Sequence, residues 1–183
     1  MLRVKADDFD AFDRLITRYR NSVVNTLHRI TRKHDGSEDL AQEVFLRVFR
    51  SRKTYQAKAK FTTWLFCIVR NVAYNAVRDR NRHKEVSTFT NGYEKGHGEA
   101  VFKSEQPDPE EIARVSELKR DLEKAMARLS LNQRTALVLS RLEGMAYIEI
   151  AKILDTSEAA VKMLVRRARK ILARELDHYI QGT

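Results

Sequence analysis

Apolar residues recur at spacings of three and four along most of the chain, which is the period of amphipathic helices. The pattern predicts a long helix over about residues 8–32 and a second over about 38–51, for which Ser37 can supply the N-cap. A third helix follows from Phe61 to about Arg82. One side of it is apolar, and the other is a surface of aromatic, amide and arginine side chains. The first 83 residues are therefore expected to form a small helical bundle.

A capped helix is also predicted where the second half of the chain begins. Asp108 is placed to cap it and Pro109 to occupy its first position, and it should run to about Arg128. Its predicted buried stripe consists of Ile112, Val115, Leu118, Leu122, Ala125 and Leu129. Ser130 and Gln133 have the spacing of a capping box, so another helix should follow at once.

The last third of the chain has helix-turn-helix spacing. Two helices are predicted, over 147–154 and from Ser157 to about residue 179, joined by Asp155 and Thr156. Asp155 stands at the turn, where an Asp tolerates a positive φ better than most residues. The second helix carries a cationic set: Lys162, Arg166, Arg167, Arg169, Lys170 and Arg174. A helix-turn-helix can be a packing unit only, but this charge favours DNA binding.

Helical periodicity is lost between the two halves, over residues 84–107, where three of the six glycines fall. Such a stretch is typical of a flexible linker. With only 6 Gly and 2 Pro in 183 residues, the chain has few helix breakers. We therefore predict an all-α fold of two small domains, an N-terminal bundle over 1–83 and a C-terminal helix-turn-helix domain over 108–183, joined by a flexible linker.

The net charge of +10 is concentrated in two blocks. Residues 41–82 hold ten Lys and Arg against two acids, and residues 117–183 hold thirteen against nine, while the segment between them is acidic. If the positive charge only kept the surface solvated, the excess of Lys and Arg over acids would be spread more evenly along the chain. Clustered cations indicate binding of a polyanion such as nucleic acid.

Several classes of protein are disfavoured by composition. No apolar run approaches the length of a membrane span, and the single cysteine, Cys67, cannot form an intrachain disulfide, so a soluble cytoplasmic protein is expected. The five histidines are scattered and no carboxylate pair recurs at ligand spacing. We therefore expect no enzymatic activity, no metal, no cofactor and no small-molecule substrate, although an enzyme acting on nucleic acid is one alternative.

Two short stretches are compatible with binding a partner, but each also has a simpler explanation. The segment over 51–60 has four cations, no acid and one aromatic, Tyr55, so it could hold a single nucleic-acid strand by phosphate contacts and stacking. It could equally be a plain basic loop. In the helix before it, Leu46 lies among polar residues of the outer side, which indicates either a protein partner or a solvated face with one stray Leu.

Taken in order, these motifs resemble bacterial sigma factors of the extracytoplasmic-function (ECF) class. In the first domain the resemblance rests on Asp39-Leu40 with Gln42-Glu43 and Phe45, on Phe61 with Thr63-Trp64-Leu65, and on Arg70-Asn71 followed by Arg78. In the second it rests on Tyr147 with Glu149-Ile150-Ala151, and on Val161-Lys162 with Arg167-Ala168-Arg169 and Leu172. It covers nearly the whole chain.

The resemblance implies roles for three groups of residues. The helix that docks on the clamp coiled coil of RNA polymerase would present Asp39, Gln42, Glu43 and Leu46. The non-template strand of the promoter's minus-ten element would be held by Lys53, Tyr55, Lys58, Lys60, Thr63, Trp64, Arg70, Asn71, Tyr74 and Arg78. The minus-thirty-five duplex would be read by Ala159, Ala160, Lys162, Met163, Arg166, Arg167, Arg169 and Lys170.

The partners that this resemblance implies are core RNA polymerase, through its clamp coiled coil and its flap, promoter DNA, and an anti-sigma factor. Three features depart from the family pattern. Met163-Leu164 stands where Ser-Arg is frequent, Asn75 where Asp is frequent, and Cys67 where a basic residue is common. The alternative is a helix-turn-helix repressor or activator that works without polymerase, which would leave the surface over residues 61–82 unexplained.

Overall fold

The structure, a computed structural model, describes residues 1–33, 35–87 and 109–180, which form helices joined by turns and loops, with no strand among them. The helices are α1 (Leu2–Lys5), α2 (Phe9–Thr31), α3 (Ser37–Arg50), α4 (Phe61–Ser87), α5 (Pro109–Ala127), α6 (Leu131–Arg141), α7 (Tyr147–Leu154), α8 (Glu158–Glu175) and α9 (Asp177–Ile180). The predicted all-α fold is confirmed. The greater part of the predicted linker, and Asp108, lie outside the described residues.

The N-terminal domain is a bundle of α2, α3 and α4, each of which packs against the other two. Asp8 caps α2 by accepting a hydrogen bond of 2.8 Å from the Ala11 N–H. Arg32 is the C-cap of α2, and its left-handed backbone (φ 57°) ends the helix after Thr31. The apolar faces of α2, α3 and α4 meet in a core that includes Leu27, Ile30, Val44, Leu65 and Val69, which are all fully buried.

The prediction for Ser37 is wrong. Gly36 takes the N-cap position with φ 86°, a left-handed conformation that suits glycine, and Ser37 is the first residue of α3. The Ser37 hydroxyl donates instead to the Lys33 carbonyl, at 2.7 Å. Its side chain thus supports the end of the preceding segment rather than the start of α3.

The turns of the C-terminal domain form as predicted. Ser130 accepts from the Gln133 N–H at 3.3 Å and the Gln133 side chain accepts from the Ser130 N–H at 2.9 Å, which is a complete capping box. Asp155 takes φ 53° at the turn between α7 and α8. Ser157 caps α8 through the Ala160 N–H at 3.1 Å. The helix-turn-helix therefore has the bounds that the sequence indicates, except that α8 ends at Glu175.

The apolar stripe of α5 is buried only in its second half, which corrects the prediction. Ala125 and Leu129 are buried, whereas Ile112, Val115 and Leu118 are 50%, 61% and 41% exposed. The helix packs against α8 through its later turns, and its first turns extend past the domain core. Helical periodicity identifies an apolar face but not whether another element reaches it.

The two domains pack against each other, with α6 on α2 and α7 on α4. Arg134 of α6, only 6% exposed, donates from Nη1 to the Ile30 carbonyl of α2 at 2.8 Å. Its other donors serve its own domain: Nε reaches the Met126 carbonyl at 3.1 Å and Nη2 the Leu129 carbonyl at 2.9 Å. Burial, with the charges of two neighbouring arginines, lowers the pKa of the Arg134 guanidinium to about 10. Arg134 thus remains charged at neutral pH and satisfies three carbonyls.

A second polar contact lies beside the first. Glu143 accepts hydrogen bonds from the hydroxyls of Ser22, at 2.5 Å, and Thr26, at 2.8 Å. Thr26 is fully buried, so its hydroxyl would have no water to bind if Glu143 were removed while the domains stayed together. These bonds and the apolar contacts around them join the cores of the two domains into one cluster.

Candidate functional site

The outer side of α4 presents a basic surface, here called the α4 basic surface and formed by Arg70, Asn71, Tyr74 and Arg78. The Arg70 guanidinium lies 4.9 Å from the centre of the Tyr74 ring and donates from Nη1 to Asn71 Oδ1 at 3.0 Å. Asn71 and Arg78 are exposed. Arg70 Nε is buried and has no partner in the described structure. An amide, a phenol ring and two guanidinium groups thus lie together, which suits the edge and face of an unpaired base.

The basic segment that precedes α4 is held by ion pairs. A short 3₁₀ turn, Arg52–Thr54, directs Arg52 and Lys53 onto Asp7, with an Arg52 Nε to Asp7 Oδ1 distance of 3.0 Å. Hydrogen bonds from Lys53 and Arg52 lower the pKa of the Asp7 carboxyl. Lys58 is exposed. This segment is thus fixed against the N-terminus, and one of its predicted DNA contacts, Lys53, is partly engaged there.

Two of the predicted strand contacts are buried. Tyr55 is 5% exposed and Thr63 is 4% exposed. The Tyr55 ring packs edge-on against Trp64, with 4.9 Å between the ring centres, and close to Phe61. The expectation that Tyr55 offers an exposed stacking surface is therefore wrong, because the rings of Trp64 and Phe61 cover the Tyr55 ring and shield it from solvent.

Trp64 lies at the boundary between this aromatic cluster and the surface. It is half-buried and contacts both Tyr55 and Phe61. Its position leaves part of the indole accessible beside the α4 basic surface.

The C-terminal domain covers part of this region. Lys60 forms an ion pair of 3.0 Å with Glu149 of α7. The hydrogen bond from Lys60, together with that from the Ala146 N–H, lowers the pKa of the Glu149 carboxyl. The Tyr74 hydroxyl donates to Asn132 Oδ1 of α6 at 2.6 Å. Two predicted strand contacts are therefore engaged by the other domain.

The exposed side of α8 is strongly cationic. The helix buries Val161, Val165 and Ala168, none of which is a predicted duplex contact, and turns most of the predicted duplex contacts outward. The exposed members are Ala159, Lys162, Met163, Arg166, Arg167, Arg169 and Lys170, while Ala160 is half-buried. Met163 is 43% exposed amid these charges. A helix that projects from a helix-turn-helix with this surface has the shape and charge to enter a major groove.

An apolar groove of about 500 Å³ lies between α2 and α3. Its lining includes Phe9, Phe12, Phe45, Leu46 and Phe49. Phe9 is 61% exposed and Leu46 49% exposed, and the rings of Phe12 and Phe49 are 5.1 Å apart. A groove of this composition suits an amphipathic helix.

The predicted polymerase contacts lie on and beside this groove. Leu46 and Gln42 line it and Asp39 is exposed, while Glu43 pairs with Arg47 at 2.7 Å. Sequence reasoning missed the contribution of Phe9 and Phe49. Helical spacing places Phe9 and Phe49 on apolar helix faces but does not show whether another helix covers them.

Other kinds of site find no support in the described residues. No group of His, Cys, Asp and Glu that could hold a metal ion occurs among them. Over the ranges that the structure covers, the helices are too short or too polar to cross a bilayer. Cys67 is half-buried in α4, and burial raises the pKa of its thiol.

Comparison with known proteins identifies two family models in this chain. The model described as Sigma-70 region 2 matches residues 15–83, and that described as Sigma-70, region 4 matches residues 119–172. The chain is 34% identical over 167 residues to the RNA polymerase sigma factor CarQ of Myxococcus xanthus, with 91% of this chain and 89% of that protein covered. It is 29% identical over 175 residues to the ECF RNA polymerase sigma-E factor of Haemophilus influenzae, covering 96% and 92% of the two chains.

A solved structure is similar over most of the chain. It is the sigma factor RpoE in complex with the anti-sigma factor NepR from Bartonella quintana. The TM-score is 0.72 at 25% identity, and the match covers 91% of this chain and 97% of the other. The similarity therefore extends across both domains.

Proposed function

The chain belongs to the family of ECF sigma factors, and from that premise we propose that it binds core RNA polymerase and directs promoter recognition, DNA opening and transcription initiation at a specific set of promoters. The observation that carries this proposal is the presence, in one chain and in order, of sigma-70 regions 2 and 4. We place its action in the cytoplasm, where polymerase and promoters are found.

Each surface has a role in this proposal. The groove between α2 and α3, with Asp39, Gln42, Glu43 and Leu46, receives the clamp coiled coil. The α4 basic surface holds the non-template strand after opening. Stacking of one base on an aromatic ring contributes about 1 to 3 kcal/mol, which is comparable to the cost of unstacking it, so a few captured bases can favour the open state. No hydrolytic residue is needed for this step.

The exposed side of α8 reads the upstream duplex, and its domain contacts the polymerase flap. Arginine and lysine can pair with guanine edges there while other cations meet phosphates. Met163 offers an apolar contact, which suits a thymine methyl group better than a guanine edge. An anti-sigma factor is the proposed regulator, supported by the similar sigma factor that was solved with one.

Transcription in vitro tests the whole proposal. Core polymerase alone and core polymerase with this protein are compared on a fragmented genomic library. We expect new start sites only when the protein is added, and their upstream sequences give the promoter elements. Tight binding of duplex promoters together with failure to bind core polymerase would instead favour a repressor or activator that works without polymerase.

Leu46→Asp should weaken association with core polymerase at least about tenfold. The substitution puts a charge at the wall of an apolar groove, where a docked helix would leave it desolvated and unpaired. The measurement is the dissociation constant for core polymerase. Leu2→Asp is the matched control, because Leu2 is 65% exposed in the same domain and does not line the groove. If the two variants bind core polymerase with equal affinity, the groove is not part of the polymerase interface.

Arg167→Ala should weaken binding of promoter duplex and reduce its salt dependence. Arg167 is exposed on α8, and loss of one phosphate contact lowers the slope of log K against log salt by about one. The slope is measured by titration at several salt concentrations. Arg114→Ala, an exposed arginine of α5, is the charge-matched control and should leave the slope unchanged. The same slope for both variants argues against a phosphate contact at Arg167.

A further inference from the structure

The first half of α5 carries an exposed apolar patch, here called the α5 stripe and formed by Ile112, Val115 and Leu118. All three side chains are exposed, and so is every other residue over 111–120. The helix packs against α8, but it does so through its later turns. Single apolar residues are ordinary on a protein surface, whereas three that adjoin along one helix form a patch of the kind that contacts another protein.

Charged residues flank the α5 stripe in a regular order. At about 100° per residue, Glu111 lies about 40° to one side of Val115 around the helix, and Lys119 lies about 40° to the other. Along the helix axis, Glu111 is about 6 Å before Val115 and Lys119 is about 6 Å after it. Among the described residues neither side chain has an ion-pair partner, although the same helix contains other ion pairs. The stripe is thus acidic at one end and basic at the other.

This arrangement is complementary to itself when two copies of the helix run antiparallel. A twofold axis at Val115 places each residue before Val115 level with the residue equally far after it in the second copy. Glu111 then lies level with Lys119 of the second copy, at both ends of the contact, and Ile112 lies level with Leu118. Two parallel copies in register would instead place each acid beside an acid and each lysine beside a lysine. The charges therefore favour the antiparallel orientation.

We propose that two copies of this chain pair through the α5 stripe, antiparallel, with Val115 at the twofold axis and Glu111 of each copy facing Lys119 of the other. The contact covers the apolar side chains and gives both charged residues a partner. A symmetric contact of this kind closes after two copies, so the product is a dimer and not a filament. It uses neither the groove between α2 and α3 nor the cationic side chains of α8, and is therefore independent of the proposed function.

The dimer is weak because the contact is small. Three apolar side chains from each copy bury much less than the roughly 1,200 Å² at which stable interfaces begin. The two flanking ion pairs are exposed to solvent, so they add little affinity but fix the orientation of the helices. We expect a dissociation constant on the order of 100 µM.

Sedimentation equilibrium of the full-length chain measures the pairing directly. Over a range of about 5 to 500 µM, the average mass of the wild type should rise from the monomer value toward twice that value. Salt is kept low, because screening weakens exposed ion pairs. Val115→Glu should raise the dissociation constant at least about tenfold, since it places two carboxylates together at the twofold axis. Val115 is exposed, so its replacement does not disturb the core.

Two charge variants test the orientation. Glu111→Lys and Lys119→Glu should each raise the dissociation constant about fivefold, because like charges then lie level across the dimer. An equimolar mixture of the two variants should associate as well as the wild type, since both ends of the mixed dimer bring a lysine to an acid. Glu111 and Lys119 lie about 12 Å apart within one helix, so this rescue cannot arise inside a single chain.

The controls carry the same charge changes on the other side of α5. Glu117 and Arg120 are exposed and lie 3.8 Å apart within the helix. Glu117→Lys and Arg120→Glu match the two test variants in net charge, and each should associate as the wild type does. Circular dichroism of every variant confirms that the helices are retained.

Several results would overturn the proposal. One is a wild-type mass that stays at the monomer value up to about 500 µM, as expected if residues 88–108 of the same chain cover the stripe. Another is association that Val115→Glu leaves unchanged, because the contact would then lie on another face. A mixture of charge variants that associates no better than its components would exclude the antiparallel pairing. Weaker binding of core polymerase by Val115→Glu, without self-association of the wild type, would assign the stripe to polymerase instead.

Discussion

Replacing Arg134 with methionine is expected to lower the free energy of unfolding by about 3 kcal/mol. Methionine retains much of the apolar contact but none of the donors, so the carbonyls of Ile30 and Leu129 lose the Arg134 hydrogen bonds, while the Met126 carbonyl keeps the Leu129 N–H at 3.3 Å. A buried acceptor left without a partner costs about 1 to 3 kcal/mol, and removal of the desolvated charge offsets only part of this cost. The measurement is urea unfolding with linear extrapolation.

Two further variants separate geometry from charge at this position. Arg134→Lys keeps the charge but cannot reach three carbonyls at once, because only a guanidinium presents donors in a planar fork, so we expect most of the loss to remain. Arg141→Met, an exposed arginine of the same helix, should change stability by less than about 0.5 kcal/mol. A loss at Arg134 no larger than that at Arg141 would mean that the three hydrogen bonds contribute nothing net.

Asn71→Ala should reduce formation of the open promoter complex about tenfold while leaving the closed complex unaffected. Asn71 is exposed, so its replacement does not disturb the core. Its side-chain oxygen receives Arg70 Nη1 at 3.0 Å, so the alanine removes a candidate base contact and also releases a guanidinium from its position. Loss of one hydrogen bond to a base corresponds to a factor of this size.

Permanganate footprinting measures opening, and the affinity for the closed complex is measured on the same promoter. Asn21→Ala, an exposed amide on α2, serves as the control and should affect neither quantity. If opening and closed-complex affinity fall equally, Asn71 contributes to initial binding rather than to strand capture.

Local structure in this chain was largely predictable because its signals are short in range. The capping box of Ser130 and Gln133 needs only two residues three positions apart, and the left-handed turn at Asp155 depends on one side chain that tolerates positive φ. The cationic side of α8 follows from helical period alone. These features were read correctly because no distant element had to be known.

The errors arose where distant packing decides. Tyr55 was interpreted as a surface ring because it lies in a segment of four cations and no acid, yet Phe61 and Trp64 of the next helix bury it. Ile112 and Val115 continue a stripe that is buried further along α5, but no other part of the described structure covers them. Periodicity specifies which residues share a face and says nothing about what reaches that face.

The contact between the domains was beyond prediction from sequence. Glu143 and Glu149 are ordinary helix-end acids by spacing, and their partners Ser22, Thr26 and Lys60 lie 89 to 121 positions away. Hydrogen bonds between such distant residues do not affect the periodicity of the sequence. The structure thereby adds a relation between the two domains that neither domain's sequence pattern contains.

The aromatic cluster at the start of α4 has a practical consequence. Trp64 is the only tryptophan of the chain, and it lies half-buried against Tyr55 beside the α4 basic surface. Excitation near the red edge of its absorption therefore selects a single chromophore in the unlabelled wild-type protein. Its emission wavelength and quenching by iodide report solvent access at this one place. Binding of a strand to the α4 basic surface can thus be followed in real time without attaching a dye.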